Sequence, residues 1–277
     1  MRKYLQIATD RLSWIAEGDG PTVVLLHGFG EDGSIWEEQF HCLKEHYKVL
    51  VPDLRGSGHS SNCTAPQSIE QMAQDLSAIL DTENIQNCSI MGHSMGGYIA
   101  LDFAERFPDR MDALGLIHST AFADSAEKKQ LRNRAIEFIQ NNGSAAFFKT
   151  AIPNLFALSY QELHPEKTEQ LLQQSTQFRD EVVIAYYKAM INRPDRSNVL
   201  RNSKYPVLMF IGAADKAVAP DDALLQASFP DICQVELIEG IAHMGMWEAV
   251  NQLNESLLNF LKLTYDPERT NTSEAKK

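Results

Sequence analysis

Six short apolar runs, at residues 23–26, 48–51, 88–91, 113–117, 207–211 and 235–238, each stop at a polar or glycine-rich loop. Helical patterns lie between most of them. Ile69, Met72, Leu76 and Ile79 recur at the spacing of one helix face, behind a Ser68-Ile69-Glu70-Gln71 capping box. Uninterrupted apolar strands alternating with helices predict an α/β fold with a mostly parallel sheet, because helices cover both faces of such a sheet and its strands lose the in–out alternation of a half-exposed one. Two further strands, at residues 3–7 and 12–16, precede the Gly18-Asp19-Gly20-Pro21 turn and bring the expected sheet to eight. Met246, Val250, Leu253, Leu257 and Leu261 predict one last amphipathic helix.

One stretch breaks the alternation. Residues 119–204 carry helical patterns alone: Leu131, Ala135, Phe138 and Ile139 stopped by Gly143, then Val183, Tyr187, Met190 and Ile191 stopped near Pro194. The expected organisation is a core from residues 1–118 and 205–263, a helical cap inserted as residues 119–204, and a polar tail over 264–277 that frays for want of periodicity. A chain of 277 residues can remove about 75% of its unfolded surface from water, enough for a core with a buried cleft.

Charge and cysteine usage narrow the partners. With 25 Lys and Arg against 37 Asp and Glu, the net charge of -12 is repelled by phosphate backbones and anionic lipid, which argues against nucleic acid and membrane partners. No apolar run reaches the roughly 18 residues of a spanning helix, and no apolar segment follows Arg2-Lys3. Cys42, Cys63, Cys88 and Cys233 lie far apart without C-x-x-C or zinc spacing, so free thiols in a reducing compartment, by default the cytoplasm, are expected. Neither a metal nor a cofactor is expected, and no feature speaks to oligomeric state.

The chemistry concentrates in three loops. Gly92-His93-Ser94-Met95-Gly96 fits G-x-S-x-G between a buried strand and a helical pattern. The bare pattern would arise by chance in about one chain in ten of this size, so its strand-to-helix context carries the weight. In that context Ser94 sits in a tight turn that lifts its hydroxyl off the sheet, with no room for side chains at positions 92 and 96. A serine hydroxyl needs a base, and the base needs an orienting carboxylate. Asp215 follows the run at 207–211, and His243 lies between the last strand and the last helix, so all three fall at one sheet edge. Asp124 is the rival carboxylate, but six residues separate it from the sixth strand.

Residues 3–263 on these motifs resemble an α/β-hydrolase with a helical cap between the sixth and seventh strands. The resemblance implies Ser94 as nucleophile, His243 as general base and then acid, and Asp215 as its orienter. It also implies an oxyanion hole from the backbone N–H groups of Met95 and Phe29, the latter in His27-Gly28-Phe29-Gly30, which is similar to the family's HG-x-G loop. His27 and the loop Asp53-Leu54-Arg55-Gly56-Ser57-Gly58-His59-Ser60 are expected to be scaffold, with Arg55 in a structural ion pair rather than on substrate.

A serine at the elbow argues against relatives that form an alkyl-enzyme, such as haloalkane dehalogenases and epoxide hydrolases. The expected activity is hydrolysis of a small, mainly apolar carboxylic ester or lactone through an acyl-enzyme. The alternatives are a carbon–carbon bond hydrolase, a cofactor-free perhydrolase and a slow-turnover ligand sensor; Gly30 and Glu31-Asp32 depart from the family patterns of the first two. Trp36, His118, Phe122, Phe147, Phe148 and Met244 are candidate pocket residues, together with Phe138, Ile152, Leu155, Phe156, Met95 and Trp247. The cap's charges, Glu127-Lys128-Lys129 and Arg132, fit a solvated helix face, so neutral acyl groups are expected to bind best.

Overall fold

The computed structural model describes residues 1–266. Eight strands form one sheet: β1 (Arg2–Ile7), β2 (Asp10–Glu17), β3 (Thr22–Leu26), β4 (Lys48–Asp53), β5 (Cys88–His93), β6 (Met111–Ile117), β7 (Val207–Gly212) and β8 (Cys233–Ile238). Their order is β1-β2-β4-β3-β5-β6-β7-β8, antiparallel from β1 through β2 to β4 and parallel from β4 onward. This is the mostly parallel α/β sheet that the apolar runs predict. Every residue of β3, β5 and β7 is buried, as expected of strands covered on both faces. β3 lies between β4 and β5, so the chain leaves it to opposite sides, and the crevice this opens beyond the strands' carboxyl ends is where ligands bind in open α/β sheets.

Helices α1 (Glu37–Leu43), α2 (Ile69–Thr82) and α3 (Met95–Arg106) flank the first half of the sheet. Ser68 Oγ caps α2 by accepting the Gln71 N–H. Between β6 and β7 only helices occur among the longer elements: α4 (Ala126–Asn142), α5 (Ser144–Ala151), α6 (Leu158–Leu163), α7 (Pro165–Ser175), α8 (Asp180–Asn192) and α9 (Ser197–Arg201). Residues of α4, α5 and α8 in this helical segment line one cavity with Ser94 and His243, at the carboxyl edge of the sheet. α10 (Pro220–Gln226), α11 (Gly245–Glu248) and α12 (Val250–Thr264) complete the described chain.

Three local expectations change. The single last helix is two, because Ala249 adopts φ -140° and ψ 48° and breaks the ladder between α11 and α12. On α4 the buried apolar residues are Ile136 and Ile139, while Leu131 and Phe138 are 61% and 41% exposed, because α4 packs on α5 and α8 through other residues and Leu131 borders an open cavity. Fraying does not begin at residue 264: Thr264 ends α12, and the Tyr265 hydroxyl lies 2.8 Å from Ser89 Oγ and 3.1 Å from Asp112 Oδ2. The rest of the expected tail, residues 267–277, lies outside the described residues. All four cysteines are free thiols. Among the described residues no helix is long and apolar enough to cross a membrane.

Candidate active site

Ser94 is the one residue between β5 and α3, with φ 51° and ψ -114°. Such a backbone is costly for a residue with a side chain and persists where the surroundings over-determine it. They do so here. The Ser94 N–H donates to the Ile117 carbonyl (3.0 Å), and its own carbonyl accepts the Ser119 hydroxyl (2.7 Å) and the Gly97 N–H (3.0 Å). A Cβ on Gly92 would lie 2.5 Å from Gly96 backbone, and one on Gly96 2.4 Å from the Leu26 carbonyl, so the turn is closed to larger residues.

Asp215 stands three residues beyond β7, and His243 lies between β8 and α11. Each carboxylate oxygen has its own partners. Oδ1 accepts the N–H groups of Ala217 (2.8 Å) and Val218 (3.0 Å), leaving Oδ2 to accept from His243 Nδ1 at 2.8 Å. Burial alone would raise the Asp215 pKa, but the His243 and His118 rings hold it well below the usual carboxylate range. Burial alone would likewise lower His243, and the charge and hydrogen bond of Asp215 outweigh it, raising the imidazole above its ordinary value.

The cap participates in placing this histidine. His243 N–H donates to the Leu155 carbonyl at 2.9 Å. Glu248 accepts backbone N–H groups of Met244 (2.9 Å) and Ala242 (3.2 Å) on the histidine loop and of Ala157 (2.8 Å) in the cap. One carboxylate thus ties the loop to the cap.

His118 follows β6 directly, with φ 49°, and packs beneath Asp215. Its Nε2 accepts the Gly245 N–H at 3.2 Å, which leaves the proton of the neutral ring on Nδ1, 3.3 Å from Asp215 Oδ2. Burial pushes its pKa down to about 4. Ligand atoms of His118, Asp215 and His243 lie within 4.8 Å of one another, a spacing a metal ion could use. The protons argue against a ligand set: His243 Nδ1 donates to Asp215, and His118 Nδ1, protonated because Nε2 accepts, faces the same carboxylate without a well-aligned hydrogen bond.

Phe29 and Glu31 border the site after β3, and Met95 opens α3, where the helix's first N–H groups and its dipole favour negative charge. Glu31 is fully buried, and its Oε2 accepts the Gly28 N–H (2.7 Å) and contacts His93 Nδ1 (2.9 Å). His93 Nε2 lies 2.9 Å from the His243 carbonyl, an acceptor, so that nitrogen carries a proton. The bond to Glu31 then needs a second proton, on His93 or on the acid, and the pair is electrically neutral either way. Burial would raise the Glu31 pKa; the His93 charge and hydrogen bond and the Gly28 N–H hold it low. The pair joins the loop after β3, the residue before Ser94 and the backbone of His243. In the sequence Glu31 is only a departure from the family loop, because neither segment signals a pairing with a residue 62 positions away.

Ser94 and His243 face one cavity of about 360 Å³, whose apolar wall includes Phe29, Phe147, Phe148, Ile152, Leu155 and Tyr187. Clefts of about 270 and 290 Å³ elsewhere touch neither residue. Of the first six pocket candidates, Phe147 and Phe148 line this cavity and four do not. Trp36 is wholly buried beside the His93 ring, His118 is shut in behind Asp215, Phe122 packs edge-on against Phe229, and Met244 is fully enclosed. Phe138, Phe156 and Trp247 are also elsewhere: Phe138 is exposed, and Phe156 stacks on Tyr160 and Trp247.

The charge expectation also needs correcting. Lys128 and Arg132 are not on a solvated face; with Lys216 they line the cavity. The physical reason is α4's orientation, since Lys128, Leu131, Arg132 and Ala135 form the stripe that borders the cavity Ser94 faces. Arg55 is held by Asp75 (2.8 Å) and Asp10 in a buried ion pair, away from the cavity. His27 bonds Ser57 Oγ (2.8 Å) and the Leu54 N–H (2.9 Å), bracing adjacent loops.

A family model described as alpha/beta hydrolase fold matches residues 21–250. The chain is 26% identical to 3-oxoadipate enol-lactonase 2 of Acinetobacter baylyi over 244 residues, which are 87% of this chain and 90% of that protein. A thermophilic esterase from Thermogutta terrifontis, studied with malate bound, superposes with a TM-score of 0.89 at 28% identity, over 96% of this chain and 99% of its own. An enol-lactonase from Burkholderia xenovorans LB400 gives 0.86 at 25% identity, over 94% and 100%. With its eight-stranded sheet, its inserted cap and a family match across most of its length, the chain belongs to the α/β-hydrolase fold family and is similar to that family's esterases and lactonases.

Proposed function

We propose that this protein is a serine hydrolase that cleaves a small carboxylic ester or lactone through an acyl-enzyme on Ser94. The observation that carries this reading is the 2.8 Å bond from His243 Nδ1 to Asp215, with His243 and the strained Ser94 facing one cavity. His243 Nε2 takes the proton of Ser94 as its oxygen attacks the scissile carbonyl, and the backbone N–H groups of Met95 and Phe29 receive the negative charge that develops. Collapse expels the alcohol, or opens the lactone ring, with the proton returned by His243. Water, activated by the same imidazole, then releases the acid. Asp215 keeps the His243 proton on Nδ1 and stabilises the imidazolium.

The cavity volume of about 360 Å³ is near the lower end of small-molecule sites and suits a short acyl chain along the aromatic wall. A fluorophosphonate should label Ser94 alone, and Ser94→Ala should abolish hydrolysis of p-nitrophenyl esters. An adduct mapped by mass spectrometry to another residue, or hydrolysis surviving in Ser94→Ala, refutes the assignment. A labelled serine with turnover far slower than ligand binding would point to the sensor role instead.

A further inference from the structure

The stripe of α4 above the nucleophile carries more positive charge than its neighbours cancel. Lys128 Nζ donates to the Ala217 carbonyl at 2.8 Å, and among the described residues no carboxylate pairs with it. Arg132 shares Asp124 with Arg193: Arg132 Nε lies 2.6 Å from Oδ2 and Arg193 Nη1 2.9 Å from Oδ1. One carboxylate answers two guanidinium groups. Arg132 Nη1 contacts the Met190 thioether at 3.2 Å, a weak acceptor for a charged donor. Lys216 adds a third cation to the lining.

The carboxylates nearest the cavity do not balance this charge. Glu31 is neutralised within its pair with His93, and Asp215, anionic beside a neutral His243, answers at most one of these cations and is already bonded to that imidazole and to the N–H groups of Ala217 and Val218. The excess is therefore positive, in a chain whose net charge is -12. Lys128 is half-buried without a carboxylate partner and Arg132 shares its own with Arg193, so hydration is lost for incomplete compensation, and an anionic ligand group supplies what is missing. Lys128 and Arg132 are four residues apart on one helix face, so one carboxylate can reach both.

Resting on the assignment of Ser94 as nucleophile, we propose that the substrate carries a carboxylate remote from its scissile carbonyl and that Lys128 and Arg132 hold it. The methylenes between the two ends lie against the wall of Phe147, Phe148 and Ile152. This reverses the preference for neutral acyl groups expected from sequence, and it defines the substrate class as half-esters of small dicarboxylic acids or lactones bearing a carboxylate.

The test compares monomethyl glutarate with methyl valerate, a neutral ester of similar length, in a pH-stat at low salt. Wild-type kcat/KM should favour the half-ester by at least tenfold, and Lys128→Met should lower that ratio at least tenfold, mostly through KM. Arg132→Lys should lower it as well, while keeping a cation beside Asp124 so that folding is preserved. A wild-type preference for methyl valerate, or a ratio unmoved by Lys128→Met, overturns the proposal. A separate arm measures glutarate binding calorimetrically to Ser94→Ala with and without Lys128→Met. If fluorophosphonate fails to label Ser94, the nucleophile assignment falls, and this arm still decides the anion site: binding lost with Lys128→Met supports it, and no binding, or binding indifferent to Lys128, refutes it.

Discussion

Replacing Asp215 by asparagine separates an orienting role from a merely structural one, because the two carboxylate oxygens are held differently. Oδ1 accepts two backbone N–H groups, from Ala217 and Val218, and an amide must keep its oxygen there. The asparagine NH2 is thereby forced into the position of Oδ2, facing His243 Nδ1 at 2.8 Å. It donates to that nitrogen. The imidazole must then carry its proton on Nε2, toward Ser94, and can no longer accept the serine proton. By analogy with serine proteases altered in the same way, kcat should fall by up to ~10⁴, or ~5.4 kcal/mol of barrier at 1.36 kcal/mol per factor of ten. Asp215→Ala has no amide to impose the tautomer and should lose less than Asp215→Asn. The assay is steady-state hydrolysis of a p-nitrophenyl ester, with a melting curve to show that each variant is folded. If Asp215→Asn retains more than a tenth of wild-type kcat, or if Asp215→Ala is the more damaged of the two, the tautomer argument is wrong. Asp124→Asn should not reproduce the loss, since Asp124 contacts arginines and no imidazole.

Further outcomes follow from the same geometry. His243 must be neutral to act as base and its pKa is raised, so kcat/KM should climb with pH through an apparent pKa above the ordinary imidazole value of about 6.5; a limb centred well below that would mean another group titrates. Glu31→Gln cannot place one oxygen to accept the Gly28 N–H and also complete the proton-bearing bond to His93, which should cost about 1–3 kcal/mol of stability and loosen the loop after β3, proposed to hold the Phe29 oxyanion donor. Its kcat should drop by ~10- to 100-fold with little change in KM, and an altered KM at unchanged kcat would place Glu31 on substrate binding instead. Prolonged dialysis against EDTA should leave ester hydrolysis unchanged, since both Nδ1 atoms of the His118–Asp215–His243 cluster carry protons toward the carboxylate; zinc-restorable loss of activity would contradict that protonation.

What the chain determined by itself is what local physics and chain order suffice to specify. Apolar runs such as 22–26 and 207–212 can be satisfied only inside a sheet covered on both faces, and parallel strands deliver the loops that follow them to one edge. Ser94, Asp215 and His243 were therefore legible as neighbours although up to 149 residues apart, because each follows a strand of that sheet. Hydrophobic periodicity records that a position is buried but not what buries it. Phe122, Trp36 and Met244 face protein while Phe147 and Phe148 face the cavity, a distinction that arises only when the cap is folded over the edge. Charge has the same ambiguity: Lys128 and Arg132 have the spacing of a solvated stripe, and the rotation of α4 against α5 and α8 turns that stripe to the cavity that Ser94 faces. Likewise Glu31 and His93, 62 residues apart, form one proton-holding unit because β3 and β5 are adjacent and in register, and a pairing across strands is set by the packed sheet rather than by either segment alone.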